Sequence, residues 1–231
     1  MVNLTLEDMG ALYRETRTRI GEIVLAAAGE GAGPVPACPG WTIKDVVAHL
    51  TGVCEDILSG NIADAPSEPW TAAQVDRVRD VPLADLVARW GEAAAQVEPL
   101  TPMFPDRTAN QWVADITSHE HDLRGALDVA GARDSAGVEV AVDFLALSFL
   151  AEAKARSLPA LSIVTEQKTW STKDAGPAAR LSGSSFELMR ALSGRRSIDQ
   201  ISALDWDGEA EAFSPAFEWG PFHPRDEALI E

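Results

Sequence analysis

The chain has 231 residues, of which 46% are hydrophobic, enough to bury the core of one large domain or two small ones. Its 19 Lys and Arg residues against 36 Asp and Glu give a formal net charge of −17, and a surface of this sign repels phosphate backbones and anionic lipids. We therefore expect no nucleic-acid partner and no membrane partner. The most apolar stretch, 138–151, is interrupted by Glu139, Asp143 and Ser148, so no membrane-spanning helix is predicted.

The compartment is predicted from the N-terminal residues and the cysteines. The first eight residues have neither the basic nor the apolar segment of a secretory signal, so the expected location is the cytoplasm. Cys38 and Cys54 are too few for a disulfide scaffold, and a reducing compartment keeps them as thiols. We interpret both as packing residues.

Helical spacing of apolar residues dominates the sequence up to residue 158. A first helix is predicted within 5–29, and the glycine-rich stretch that begins at Gly29 ends it. A second helix, over 43–58, has the clearest start, because Thr42 can cap it with Asp45 at the third position. Residues 59–69 are predicted to form a loop. Further helices are predicted over 83–97, from a cap at Asp106 through Val129, and over 138–158, which together make a helical bundle.

The composition changes after Pro159. Partial alternation of β-branched and aromatic residues predicts a strand within 161–170, and a second short strand follows the Gly176-Pro177 turn at 179–181. Ser184 is expected to cap a helix over 185–192 that Gly194 ends. The tail from residue 213 is expected to be irregular. A small α+β domain is therefore predicted over 159–231.

Histidines are the first candidates for chemistry. On a helical wheel of about 100° per residue, Asp115, His119 and Asp122 fall at 0°, about 40° and about −20°, which is one narrow arc. The arc borders the apolar side of its helix, so these side chains are expected to point into the bundle. His121 lies off the arc and is expected at the surface. His49, at the edge of the apolar stripe of the second helix, is also expected to point inward.

Two interpretations of these residues stay open from spacing alone. An imidazole from one helix and an Asp/His pair four residues apart on another can hold a divalent metal ion with one coordination position open. Histidines that are hydrogen-bonded in a core without a metal show the same pattern and are the more common case.

Three motifs resemble a known family. Residues 39–50, PGWTIKDVVAHL, resemble the opening motif of the DinB-like, mycothiol-dependent maleylpyruvate isomerase family of actinobacteria. Residues 115–123, DITSHEHDL, are similar to its second motif, and residues 184–195 resemble its small C-terminal domain. The resemblance implies a mainly α fold. It comprises an N-terminal DinB-like, metal-binding helical bundle over 1–158 and a small α/β, sterol-carrier-like domain over 159–231.

The resemblance also implies a site. The metal ligands of the family fall on His49, Asp115 and His119, and zinc is the implied ion. Asp115 stands where the isomerase has Glu, a change that can shift the metal and mark a different substrate. Asp122 and Arg195 match two positions associated with activity. Alternatively, Asp122 orients a ligand and Arg195 compensates a helix dipole.

The implied function is a metal-dependent transferase or isomerase that uses mycothiol as co-substrate and acts on a small electrophile. A metal ion with an open position binds a thiol as thiolate, so no protein cysteine is needed as nucleophile, and Arg195 would position an anionic group. The alternatives are a metal-dependent hydrolase and a non-enzymatic protein that binds a small ligand. Expected partners are the substrate and a low-molecular-weight thiol, with the chain as monomer or homodimer.

Overall fold

The computed structural model describes residues 5–27, 29, 31–105, 107–172 and 178–231. Contacts within the chain group it into two compact units, one that extends to Gly131 and one over Ala132–Ile230. The predicted mainly α fold with a small C-terminal sheet is confirmed. Among the described residues, no helix is long and apolar enough to cross a membrane.

The N-terminal unit is a helical bundle. Its helices are α1 (Leu6–Ala26), α2 (Ile43–Ser59), α3 (Glu68–Arg77), α4 (Leu83–Val97) and α5 (Thr108–Leu127), with a 3₁₀ helix at Glu98–Met103. Helix α1 packs against α5 and α4, and α2 packs against α4, α3 and α5.

Helix α2 begins where the sequence predicts. The Thr42 hydroxyl accepts a hydrogen bond from the Asp45 backbone N–H at 3.2 Å, and the Asp45 carboxylate accepts one from the Thr42 N–H at 2.8 Å. This reciprocal cap satisfies two backbone donors that the first helical turn leaves without partners. Gly60 ends the helix with φ of 75°, a left-handed conformation that glycine adopts without strain.

Helix α3 is not among the predicted helices, because the polar residues around it indicate a loop. Its start signals are nevertheless present: the Ser67 side chain caps it, and Pro69 lies in its first turn. The helix matters for the site because it carries Gln74. The predicted cap Asp106 lies outside the described residues.

The C-terminal unit is an α+β arrangement. Its elements are α6 (Ala136–Ala155), β1 (Leu161–Val164), β2 (Thr169–Ser171), β3 (Ala179–Ser182), α7 (Ser185–Leu192), α8 (Ile198–Ser202) and β4 (Asp205–Asp207), followed by a 3₁₀ helix at Ala210–Phe217. The sheet has the order β2-β1-β3-β4, in which β1 and β3 are parallel and the other two pairs are antiparallel. Helix α6 packs against α7.

Two sequence predictions meet the structure differently in this unit. The predicted helix over 185–192 is confirmed, with the Ser184 side chain as its cap. The domain boundary predicted after residue 158 stays a prediction, while the contact grouping separates the units between Gly131 and Ala132, with α6 on the C-terminal side. The predicted turn at Gly176-Pro177 lies outside the described residues.

Candidate metal centre

Three predicted ligands converge between two helices of the N-terminal unit. Helix α2 carries His49, and α5 carries Asp115 and His119 one turn apart. The Asp115 Oδ1 atom lies 3.6 Å from His49 Nε2 and 3.7 Å from His119 Nε2. Both histidines are buried, at 6% and 7% exposure, whereas the Asp115 side chain is 33% exposed. The cluster therefore has an inner side formed by imidazoles and an outer side at the carboxylate.

The second nitrogen of His119 faces away from the cluster. His119 Nδ1 lies 3.0 Å from Asp122 Oδ2, and the Asp122 side chain is fully buried. A carboxylate at this distance accepts the Nδ1 proton and leaves Nε2 as the nitrogen with a lone pair toward the cluster. Asp122 thus contacts the back of His119 and orients its ring.

His49 has a longer chain of partners on its outer side. His49 Nδ1 lies 2.8 Å from Gln74 Oε1, and Gln74 Nε2 donates to Asp56 Oδ2 at 2.8 Å. The other oxygen of Asp56 accepts from Arg77 at 2.9 Å and from Asn61 at 3.1 Å. Burial raises the pKa of Asp56, but the hydrogen bonds from Arg77, Gln74 and Asn61 outweigh burial and leave that pKa below its usual value. Asp56 is therefore a buried carboxylate that stays ionised.

Two indole rings flank the histidines. The Trp41 ring is nearly parallel to that of His119, with centroids 6.1 Å apart, and its centroid lies 5.4 Å from that of His49. Trp70 meets His49 edge-on at 6.4 Å, and its indole N–H donates to the Asn61 carbonyl at 2.8 Å. These rings restrict the imidazole orientations and cover the site with apolar surface.

Cys38 lies at the site, which the sequence does not predict. Its Sγ donates to Asp122 Oδ2 at 3.2 Å and lies 4.0 Å from His119 Nδ1. Because Cys38 is distant in sequence from helix α5, no local pattern predicts the contact. Its interpretation as a packing residue is therefore incomplete: the half-buried thiol shares Asp122 with a predicted ligand.

Cys54 is the packing residue that the sequence predicts. It is fully buried, and its Sγ lies 3.3 Å from the Tyr13 hydroxyl. Burial raises the pKa of the Cys54 thiol to about 12. At neutral pH this thiol is protonated, which excludes it as a nucleophile.

An ion-pair cluster fixes helix α5 beside the site. Glu120 accepts two hydrogen bonds from Arg19 of α1, at 2.8 and 2.7 Å, and two from Arg124, at 3.1 and 2.8 Å. Burial raises the pKa of Glu120, but these two guanidinium groups outweigh it and lower the pKa below its usual value. Glu120, which directly follows His119, therefore anchors α5 to α1.

Two further residues singled out in the sequence are His121 and Arg195. The predicted exposure of His121 is wrong, because His121 is only 3% exposed. All side chains from Ile116 to Leu123 are buried, so α5 is covered on more than one face and a single apolar stripe does not describe it. Arg195 belongs to the C-terminal unit, where its Nη1 donates to the Ser193 carbonyl at 2.7 Å after the end of α7.

The donor set fits a zinc-like ion. Two imidazole nitrogens and one carboxylate oxygen, all within 4.8 Å of one another, are the three-ligand set typical of catalytic zinc sites. Tetrahedral ligands at zinc bond lengths of ~2.0–2.2 Å lie about 3.4 Å apart, so the 3.6 and 3.7 Å separations are within a few tenths of an ångström of that value. The outer hydrogen bonds of both histidines also match metal-bound imidazoles.

Comparisons with known proteins indicate the family and the fold of the chain. A family model described as the mycothiol maleylpyruvate isomerase N-terminal domain matches residues 13–133. The chain is similar in fold to the crystal structure of mycothiol-dependent maleylpyruvate isomerase, at a TM-score of 0.60, and to that of a histidine-to-alanine mutant, at 0.58. In both comparisons the identity is 14%, and 84% of this chain and 90% of the other are covered. A comparison with curated protein sequences gives no match.

Proposed function

Since the chain belongs to the mycothiol maleylpyruvate isomerase N-terminal domain family, we propose that it is an enzyme that uses mycothiol to isomerise a small electrophilic substrate or to transfer the thiol to it. One observation carries the proposal: the Nε2 atoms of His49 and His119 and the Asp115 carboxylate face one point. An N-terminal DinB-like bundle and a small C-terminal α+β part accompany this centre.

In this proposal His49, Asp115 and His119 hold a divalent ion, with zinc as the expected metal. When bound, such an ion supplies a Lewis acid that favours the thiolate form of an external thiol at neutral pH. The other protein residues in this proposal hold and orient the imidazole ligands. Asp122 keeps the Nδ1 proton of His119 away from the cluster, and the Trp41 indole excludes water from the imidazole side.

The nucleophile is the external thiol in this proposal. Cys54 is buried and protonated, and the Cys38 thiol is engaged with Asp122. Thiolate addition to an electron-poor double bond forms a carbon–sulfur bond and moves the negative charge to the activated neighbouring carbon. After rotation, elimination breaks the carbon–sulfur bond and returns the thiolate, whereas uptake of a proton from water at that carbon keeps the bond and completes the transfer.

Two further roles rest on the family resemblance. Arg195 is proposed to bind an anionic group of the substrate, because a guanidinium pairs well with carboxylates. Asp122 is proposed as a positioning residue, because it is fully buried behind His119. Asp115 is the exposed ligand, so a carboxylate one methylene shorter than in the isomerase changes the open side of the centre, where we expect substrate preference to differ.

Turnover with and without thiol tests the proposal. Metal-loaded protein should consume an activated cis-alkene diacid, or form its thiol adduct, only when mycothiol is added. Hydrolysis without thiol would instead support a metal-dependent hydrolase, and ligand binding without turnover would indicate a binding protein. Either result would contradict the proposed activity.

Metal content of two histidine variants tests the centre itself. His119→Ala removes an Nε2 that faces Asp115 at 3.7 Å, so it should lose stoichiometric metal. His121→Ala is the matched control, because it removes another buried imidazole of the same helix outside the ligand cluster. Equal metal loss in both folded variants would contradict the ligand assignment.

A further inference from the structure

We propose that Gln74, held by Asp56, is a positioning residue that fixes His49 in the tautomer with its proton on Nδ1 and its lone pair on Nε2. The tautomer is a property of the metal-free chain. The role of this tautomer, which is to present Nε2 of His49 to a metal ion, rests on the proposed function.

The direction of the hydrogen-bond chain follows from its end. Arg77 and Asn61 donate to Asp56 Oδ1, and Asp56 Oδ2 faces an atom of the Gln74 amide at 2.8 Å. An ionised carboxylate only accepts hydrogen bonds, so the amide group that faces it must be the donating NH₂. The amide oxygen then faces His49 Nδ1 at 2.8 Å, and a carbonyl oxygen only accepts. Nδ1 must therefore carry a proton, and in the neutral imidazole the lone pair is then on Nε2.

The surroundings of Gln74 oppose reversal of its amide. Gln74 is fully buried, and α3, which carries it, packs against α2. A Cβ atom at Gly52 would lie 2.5 Å from the Gln74 Cβ, so Gly52 allows the close approach of the two helices at this point. With the amide reversed, its oxygen would face Asp56 Oδ2 with no proton between the two acceptors. Because the site is buried, the lost hydrogen bond and the repulsion between the two oxygens oppose the reversed orientation.

The two histidines consequently receive different partners for the same task. His119 Nδ1 faces the anionic Asp122 directly, whereas His49 Nδ1 faces a neutral amide with the carboxylate one residue further away. An anionic acceptor increases the basicity of an imidazole ligand more than a neutral one does. Gln74 thus sets orientation and tautomer, while Asp122 also adds charge.

The tautomer can be measured directly without metal or turnover. Two-bond ¹H–¹⁵N NMR correlations of the metal-free protein, recorded at mildly alkaline pH, distinguish an Nδ1–H from an Nε2–H imidazole. Wild-type His49 should be in the Nδ1–H form. Two variants should shift His49 toward a mixture of tautomers. Gln74→Leu removes the acceptor of the Nδ1 proton. Asp56→Asn introduces a side chain that can donate as well as accept, so the Gln74 amide can reverse.

Metal affinity supplies the second readout. In competition with a chromophoric chelator, zinc binding should weaken by about 10–100-fold in Gln74→Leu, the range for loss of an outer partner of a ligand. Glu98→Gln is the matched control, because Glu98 is a buried carboxylate paired with Arg14 and Arg17 in the same unit. It should lower stability and leave both the tautomer and the affinity unchanged. If Gln74→Leu does not fold, Asp56→Asn alone provides both measurements.

Three results decide the inference. An Nε2–H form of His49 in the wild type would overturn it, and so would an unchanged tautomer in both Gln74→Leu and Asp56→Asn. The expected tautomers in a protein that binds no zinc would support the positioning role and contradict the proposed metal centre.

Discussion

Replacement of both cysteines separates an external thiol mechanism from one that uses a protein thiolate. In Cys38→Ser, Cys54→Ser, each sulfur becomes a hydroxyl that is not a nucleophile at neutral pH. The first change keeps a donor toward Asp122, which the Cys38 thiol contacts at 3.2 Å. The second keeps a polar group near the Tyr13 hydroxyl, 3.3 Å from the native sulfur. We expect the variant to fold, bind metal and retain most of its thiol-dependent turnover.

The magnitudes follow from burial. With a pKa of about 12, only about one Cys54 side chain in 100,000 is a thiolate at pH 7. Its removal therefore costs no nucleophile. Replacing this fully buried thiol by a hydroxyl should lower the free energy of unfolding by about 1 kcal/mol, which for a chain of this length lowers Tm by about 2–4 °C.

The assay compares wild type and variant at equal metal content, with and without mycothiol, below the melting transition of both. Omission of thiol should abolish turnover in both proteins, and the two rates with thiol should be similar. A cysteine-free protein that is folded and metal-loaded but inactive would refute the external thiol mechanism for this chain.

Three other predictions concern the groups around the centre. Asp122→Asn removes the charge behind His119 and should weaken zinc binding by about 10–100-fold in chelator competition; equal affinity would contradict its positioning role. Arg195→Ala should raise KM or lower turnover while metal content stays unchanged, and Arg195→Lys should restore only part of the loss. Because the pKa of Glu120 is lowered in the folded state, its stabilisation is present above its unfolded-state pKa of about 4.3 and is lost as pH falls. The difference in unfolding free energy between wild type and Glu120→Gln, from urea titrations, should therefore shrink below about pH 4, and a pH-independent difference would refute this.

Local signals account for the parts of the fold that the sequence predicts well. Helix α4 is predicted over 83–97 and observed at Leu83–Val97, because its apolar spacing is regular and prolines lie on both sides. Helix α2 is predicted at its first residue because Thr42 and Asp45 form the cap within the segment itself. Such features depend only on residues a few positions apart.

That Asp115 and His119 lie together is also predictable, because helical periodicity places them on one face; their assignment as metal ligands with His49 follows from the family resemblance and stays a prediction. Their actual distance to His49 depends on how α2 packs against α5, which spacing within one helix does not determine. The contacts of Cys38 and Gln74 depend on chain segments that fold back from elsewhere. For Gln74, the Ser67 cap and the proline after it predict a helix, but not the direction in which the helix packs.

The hydrogen-bond partners behind His49 and His119 differ, although the two proposed ligand atoms are the same. His49 and His119 present the same atom to the centre, but one is backed by an amide and the other by a carboxylate. Exchanging an amide for a carboxylate changes the donor strength of an imidazole while the proposed metal ligands stay the same. Proteins of this family with the same three ligands but different residues at the positions of Gln74 and Asp122 should thus differ in metal affinity and in the reactivity of a bound thiol. Substitutions at position 74 should therefore change activity within the family, because the amide there determines which nitrogen of His49 is available.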